Sequence, residues 1–366
     1  MKLNVSFFAS RTISWYMARL FVVRSFAVLA ALAVILMALD LLGESGDILA
    51  VPGNGDAQLW YYVSLRLPQI ISRFLPFSVL LGTLITLATL NQNSEIISMK
   101  AAGISAHQIL APLIVASLAI AGASFWFNDH IVARATNVLS AWQDVDYGPV
   151  PQNRGIVSNV WVRSAEDLIH AGQVTGRGPT TTLHDVRLYD RDGDRLGAIA
   201  SAPVATYRDG AWQMRDARIF DVGRGRVTTR PTLTIGRGVE PDRFTLATVN
   251  PDGLSFRALA EAVSDLHAAG RPTVALDTVL WHKISGALSV VLMPLLAGVA
   301  GFGLARSGVL FVRAVIGMAL GFTYFVADNF ALAMGNIGAY PPLLAAWAPF
   351  LLFLLIGEAV LIRTEE

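Results

Sequence analysis

The side chains able to do chemistry are few in this chain, and their spacing excludes several reaction classes. Its lysines are Lys2, Lys100 and Lys283. None follows a glycine, so there is no P-loop in which a lysine could reach the β and γ phosphates of a nucleotide. The histidines, His107, His130, His170, His184, His267 and His282, show no pair at metal-ligand spacing. No His-Glu-x-x-His and no Gly-x-Ser-x-Gly is present. With 0 cysteines, thiolate catalysis, disulfides and Cys-based zinc or iron–sulfur centres are removed. Asp146, Glu166 and Asp167 could act as acid and base, but they lie in a stretch so rich in acids that such a cluster is expected by chance. No catalytic residue, metal or cofactor is expected.

Ionisable residues inside or beside apolar runs carry more information, because each costs roughly 2.5 to 3.5 kcal/mol at the centre of a membrane helix. Asp40, Arg66, Arg73, Asp328 and Glu358 are of this kind. Arg66 and Arg73 are two helical turns apart on one face, where they could meet an anionic headgroup or a lipid phosphate. Snorkelling to the interface is the competing reading. Asp328, followed by Asn329, is placed to pair with one of these arginines. Glu358, shortly before Arg363, reads as interfacial.

The elements that must hold these residues follow from composition. Of 366 residues 54% are hydrophobic and 15% charged, with mean hydropathy +0.53. Those values mark a membrane-embedded chain, since soluble domains average about 25% charged residues. A net charge of +1 provides no basic field for a phosphate backbone, so nucleic acid is not an expected partner. Six runs approach the roughly 20 apolar residues that a bilayer crossing needs. They cover 25–42, 74–90, 109–127, 284–305, 309–333 and 343–362. Positions 129–278 hold 35 of the charged side chains, against 20 in the remaining 216 positions.

The chain therefore divides into three parts: 1–127 with spans one to three, a polar β insert at 128–280, and 281–366 with spans four to six. Lys2, Arg11, Arg19, Arg24, Lys100, Arg306, Arg313 and Arg363 all fall on one side of this topology. The acidic loop 43–56 and the insert fall on the other, so both termini are expected in the cytoplasm and the insert outside. The first span is too long, and lacks the small-x-small site, to be a cleaved signal. Ahead of it, 7–24 reads either as an interfacial amphipathic helix or as an extension of the span. Gly317 and Gly321 form a small-residue stripe suited to close helix packing, in this chain or against another. Within the insert, short runs at 181–189, 198–207, 211–215 and 217–222 alternate with turns at Asp192-Gly193, Asp209-Gly210 and Gly223-Arg224-Gly225. This predicts an all-β domain of sandwich or jelly-roll type, closed by a return helix over 256–269.

The loop between spans two and three is the most specific feature: Asn93-Ser94-Glu95-Ile96-Ile97-Ser98-Met99-Lys100-Ala101-Ala102-Gly103-Ile104-Ser105. It predicts a short helix over about 93–104, with Ser94 as N-cap and Gly103 at its exit. Such a helix would present Glu95, Ile96 and Met99 to a cytoplasmic partner. The pattern Ser94, Glu95, Met99, Ala101, Gly103 resembles the coupling helix of the LptF/LptG lipopolysaccharide export permeases. The likeness extends to Pro68, Pro76 and Gly82 in the second span, Phe325-Val326-Ala327-Asp328 in the fifth and Tyr340-Pro341-Pro342 before the sixth. Leu39-Asp40 followed by Gly46, and the stretch 317–325, are more similar to the LptG branch than to LptF.

The resemblance implies a permease subunit of an ATP-driven exporter in a bacterial inner membrane, without its own P-loop. It would extract lipopolysaccharide and pass it to a periplasmic bridge. The partners implied are a dimer of LptB-like cytoplasmic ATPases, an LptF-like second permease, a single-span LptC-like protein and an LptA-like bridge. The β insert would be a periplasmic jelly roll, and Ser94, Glu95, Ile96, Met99, Ala102 and Gly103 would couple the chain to the ATPase. An LptF-type subunit and a membrane-anchored periplasmic scaffold remain as alternatives. Where the family often has lysines after the Asp of the first span, this chain has Leu41-Leu42-Gly43-Glu44. Substrate phosphates would then fall to Arg66, Arg73 and Arg134, with Asp40 and Asp328 beside them.

Overall fold

The computed structural model describes residues 10–148, 157–164, 167–176, 180–192, 195–241, 244, 250–268, 272–303 and 310–365. Lys2, Phe7, Phe8, Glu166, Gly193 and Arg306 lie outside them. Two compact units are present, one from 1–150 with 251–366 and one from 151–250. The sheet-bearing unit is thus narrower than the 128–280 insert.

The first unit is helical. Its elements are α1 (Arg11–Ala50), α2 (Asp56–Gln92), α3 (Glu95–Ala101), α4 (Ala106–Phe127), α5 (Ala133–Gln143), α6 (Phe256–Ala268), α7 (Val274–Gly303), α8 (Leu310–Asn336) and α9 (Pro342–Glu365). A π-helical turn, Asn128–Val132, joins α4 to α5. Six helices among the described residues are long and apolar enough to cross a bilayer: α1, α2, α4 continued through α5, α7, α8 and α9. At 1.5 Å per residue the 40 residues of α1 span about 60 Å, twice the hydrocarbon thickness. Its first turns continue the span, as the second reading of 7–24 has it. They are not separate from the bundle, because Met17 and Phe21 are fully buried among Leu90, Ile96 and Ile109.

Small residues set the helix spacing, and their partners lie within this chain. A Cβ at Gly321 would run into the Leu80 side chain, and one at Gly317 would fall 2.6 Å from Leu84 Cδ2. The small-residue stripe of α8 therefore packs on α2. Gly298 of α7 receives Leu110 of α4 in the same way, at 2.5 Å. At Gly82 of α2 the close neighbour is backbone: a Cβ there would lie 2.6 Å from Ser25 Cα of α1. The room for a Cβ is taken by the neighbouring helix at each of these glycines, the close approach by which van der Waals packing holds helices together in lipid.

The second unit is a six-stranded antiparallel sheet in the order β1 (Val157–Ser164), β2 (Asp167–Thr175), β3 (Thr182–Asp192), β4 (Arg195–Arg208), β5 (Ala211–Asp221), β6 (Arg226–Ile235). Every strand pairs with its sequence neighbours, so the described connectivity is a meander without the Greek-key crossings of a jelly roll. The runs 211–215 and 217–222 fuse into β5, with Asp216 at φ 54° absorbing the irregularity between them. Asp209 and Gly210, at φ 52° and 75°, make the tight left-handed turn that Asp-Gly favours. One core is filled by Val160, Ile169, Leu183, Val186, Ala200, Ala205, Trp212 and Met214 from the strands, with Phe244 beyond them. Trp212 is its centre, fully buried, with its Nε1 donating to the Val239 carbonyl at 2.8 Å and its ring edge-on to Phe244.

Trp212→Ala should destabilise this unit by about 3–5 kcal/mol, and Trp212→Phe by less. Thermal melting of the full-length chain followed by near-ultraviolet circular dichroism measures both.

Candidate functional site

Two polar regions stand out in the helical unit, at opposite ends of α2. At the end where α2 finishes, α3 is held by its own apolar residues. Ile96 is buried in the bundle core, with Met99 and Ile104 packed against it. Ile96 is thus turned inward, against the expectation that it faces a partner, and Met99, three positions on, is half-buried on the same side. The outward side carries Ile97, 61% exposed, with Ser98, Ala101 and Ala102. Ile97 was not singled out from sequence. Its signal was the phase of the helix, which only the burial of Ile96 fixes.

Glu95 is half-buried and accepts from Tyr16 Oη of α1 at 3.4 Å and from Asn93 Nδ2 at 3.4 Å. Ser94 occupies the N-cap position as expected, but its φ of 59° aims the hydroxyl away and it forms no capping bond. The effective cap follows α3, where Ser105 accepts from the Gln108 amide and Gln108 returns a bond to Ser105, opening α4. Gly103 has φ 85° and donates to the Lys100 carbonyl at 2.9 Å, while Ile104 donates to Met99 at 3.1 Å. That paired closure is the one a left-handed glycine makes after a helix.

At the other end of α2 the expected ionisable residues separate into two groups. Arg66 faces Asp40 of α1: Nη2 lies 2.9 Å and Nε 3.1 Å from its carboxylate, and Nη1 donates to Gln69 at 2.8 Å. Tyr62 Oη completes the set, donating to Asp40 at 2.7 Å. All three guanidinium nitrogens are thereby engaged. Further out, Tyr147 Oη donates to Glu44, and Asn54 Nδ2 bridges the carbonyls of Ile48 and Tyr147. Burial, then the Glu44 carboxylate, pushes the Tyr147 hydroxyl up to about 12. The stability this bond supplies is complete below pH 10 and fades as the pH rises towards 12.

Asp328 does not pair with an arginine. It meets His282 of α7 at 3.0 Å, because α8 packs its outer half on α7 and not on the arginine-bearing part of α2. Glu358 lies 3.4 Å from His107 of α4, tying α9 to the α3 end of the bundle. Arg73 and Arg134 are exposed, on α2 and α5. The Ser72–Asn128 hydrogen bond and the Tyr61–Trp142 ring contact at 5.4 Å run these two helices side by side through that stretch. Arg73 and Arg134 thus lie exposed on two packed helices, while Arg66 is turned into the α1–α2 seam. Among the described residues no group of three or more His, Asp or Glu could hold a metal ion.

Six apolar helices with a β insert between the third and fourth define a multi-pass membrane protein. The family profile described as lipopolysaccharide export system permease LptF/LptG matches residues 15–363, and the chain belongs to that family. It is 26% identical over 329 residues to the lipopolysaccharide export system permease protein LptG of Haemophilus influenzae, covering 86% of this chain and 89% of that protein. It is 24% identical over 311 residues to LptG of Escherichia coli K12, covering 82% and 84%. The chain is thus a transporter subunit of the bacterial inner membrane and not an enzyme.

Replacing Gly103 by Ala should cost about 1–2 kcal/mol, because an L side chain is strained at its positive φ, and Asn should be tolerated better. Loosening of α3 then shows as faster limited proteolysis at 93–104, in the order Gly, Asn, Ala.

Proposed function

We propose that this chain is the LptG-type permease of an ATP-driven exporter, lifting lipopolysaccharide out of the inner membrane and delivering it to a periplasmic bridge. The observation that carries the reading is α3, an exposed ridge on Ile97 and Ser98 backed by Ile96 and Met99 in the bundle core. A ridge so backed is a socket for a separate motor. The motor is a dimer of LptB-like ATPases, and α3 with Ser94, Glu95, Ala102 and Gly103 is its contact. The second permease is LptF-like. An LptC-like single-span protein and an LptA-like bridge receive the lipid.

The orientation places both termini and α3 in the cytoplasm and the sheet in the periplasm. Arg11, Arg19 and Arg24 at the start of α1, Lys100 in α3 and Arg363 near the end of α9 support it, against Glu44, Asp47 and Asp56 across the bundle. α1 and α8 leave most of their apolar surface uncovered, with 28% and 22% of their spans buried against 61% for α7. They are the faces that meet the second permease around a lipid cavity. Moving acyl chains from bilayer to an aqueous compartment costs about 0.8 kcal/mol per CH₂ exposed, which a hydrolysis engine can meet and a binding protein cannot. Arg73 and Arg134 take the anionic headgroup, with Asp40 and Arg66 behind them as a fixed pair and Asp328 held on α7.

Glu95→Lys should leave ATP hydrolysis of the purified complex in place and reduce lipopolysaccharide release per ATP by about tenfold or more. Full transport coupling in that variant would refute the socket. Arg73→Gln combined with Arg134→Gln should reduce photo-crosslinking of lipopolysaccharide several-fold. Unchanged crosslinking would assign the headgroup to other cations.

A further inference from the structure

The headgroup reading leaves unexplained why Arg66 directs Nε and Nη2 to Asp40 of a neighbouring helix and Nη1 to Gln69 of its own. We propose that α1, α2 and α3 form one rigid strut, and that Asp40, Arg66 and Tyr62 are its outer rivet. Displacement of α3 then reappears at the far end of α1. The inference rests on α3 being the point where the motor acts, and adds how that motion crosses the membrane.

Three separate ties run along the pair α1 and α2. The first lies beside α3, where Met17 and Phe21 of α1 belong to the same buried cluster as Leu90 of α2 and Ile96 of α3. Tyr16 bonds Glu95, and Arg24 Nη1 donates to the Ile85 carbonyl of α2 at 3.0 Å. The second tie is the crossing at Gly82, where a Cβ would lie 2.6 Å from Ser25 Cα and 2.7 Å from Ser25 N. No side chain fits between the two backbones at this crossing, so they pack directly on each other. The third is the Asp40–Arg66 pair with Tyr62, bidentate and half-buried, the geometry in which Arg and carboxylate fix orientation as well as distance. Glu44 and Ile48 add the bonds to Tyr147 and Asn54 beyond it.

Two helices tied at one level can rotate about the tie, whereas ties at three levels leave only motion as a body. No proline interrupts α1, and a continuous hydrogen-bonded helix transmits axial and bending loads along its whole length. α2 contains Pro68 and Pro76, each of which removes a helical hydrogen bond. Arg66 and Tyr62 lie on the outer side of both prolines, so the rivet fastens to α1 the very part of α2 that its prolines would free. Arg66 is therefore a positioning residue acting through Asp40, and not a ligand of the lipid.

The test uses the full ATPase–permease complex in proteoliposomes. Asp40→Arg and Arg66→Asp should each reduce lipopolysaccharide released per ATP by about fivefold while hydrolysis continues, and the double exchange should recover most of the loss. A lipid ligand at Arg66 would not be restored by moving its charge to α1, so an unrescued double variant overturns the proposal.

Because the chain contains no cysteine, spin-label pairs can be added where side chains are open: Leu42 at 76%, Trp60 at 73% and Ile337 at 74% exposed. Between nucleotide-free and vanadate-trapped complexes, the Leu42→Cys/Trp60→Cys distance should stay fixed and the Leu42→Cys/Ile337→Cys distance should change. A shift in the first pair, or none in the second, overturns the strut even if single variants fold poorly. Glu95→Lys separates the two readings: retained coupling there refutes the socket. Lost coupling there, with a mobile first pair, refutes only the strut.

Discussion

A bilayer core donates and accepts no hydrogen bonds, so the backbone polar groups of this bundle are paired within its helices and most side-chain hydroxyls turn back on the same helices. The hydroxyls of Ser78, Thr83 and Thr86 in α2, and of Thr278 in α7, donate to carbonyls four residues back on their own helices. They stabilise nothing between helices. That task falls to close packing at Gly82, Gly298, Gly317 and Gly321, and to a few ionisable pairs that cross from one helix to another. Each pair sits near an end of the bundle, where water lowers its desolvation cost; two join consecutive helices, α1 to α2 and α7 to α8, and the third joins α4 to α9. Packing gives cohesion, and the pairs give register.

The same constraint explains how much of the fold was legible in the residues. Uninterrupted apolar runs, and the charge contrast between 129–278 and the rest, disclosed six crossings and one insert, because lipid tolerates no other arrangement. Helix ends were less visible: α1 and α2 run 40 and 37 residues, well past their apolar centres, since helices can continue into the headgroup region with polar residues. Strand runs were readable from alternation and Asp-Gly turns, whereas their order in the sheet depends on long-range pairing that no local pattern encodes. Among the site residues, Asp40 and Arg66 were both flagged by their cost in a membrane. Their pairing was not foreseen, because α1 and α2 meet at an angle set by Gly82 and Ser25. Asp328 found His282 for the same reason, a histidine being a polar partner that charge counting overlooks at neutral pH.

The stiffness of α3 is the last step. Seven residues make two helical turns, too few to be stable alone, since nucleating a helix costs more than so short a ladder returns. Its persistence must come from burying Ile96 in the bundle core and packing Met99 and Ile104 against that core. A helix held in that way cannot yield to a force on Ile97 without first exposing those side chains, at about 1.5–3 kcal/mol for each fully buried apolar residue. The load is passed to α1 and α2 before it can be absorbed locally. The marginal local stability that makes α3 depend on the core is therefore the property that suits it to carry a push across the membrane.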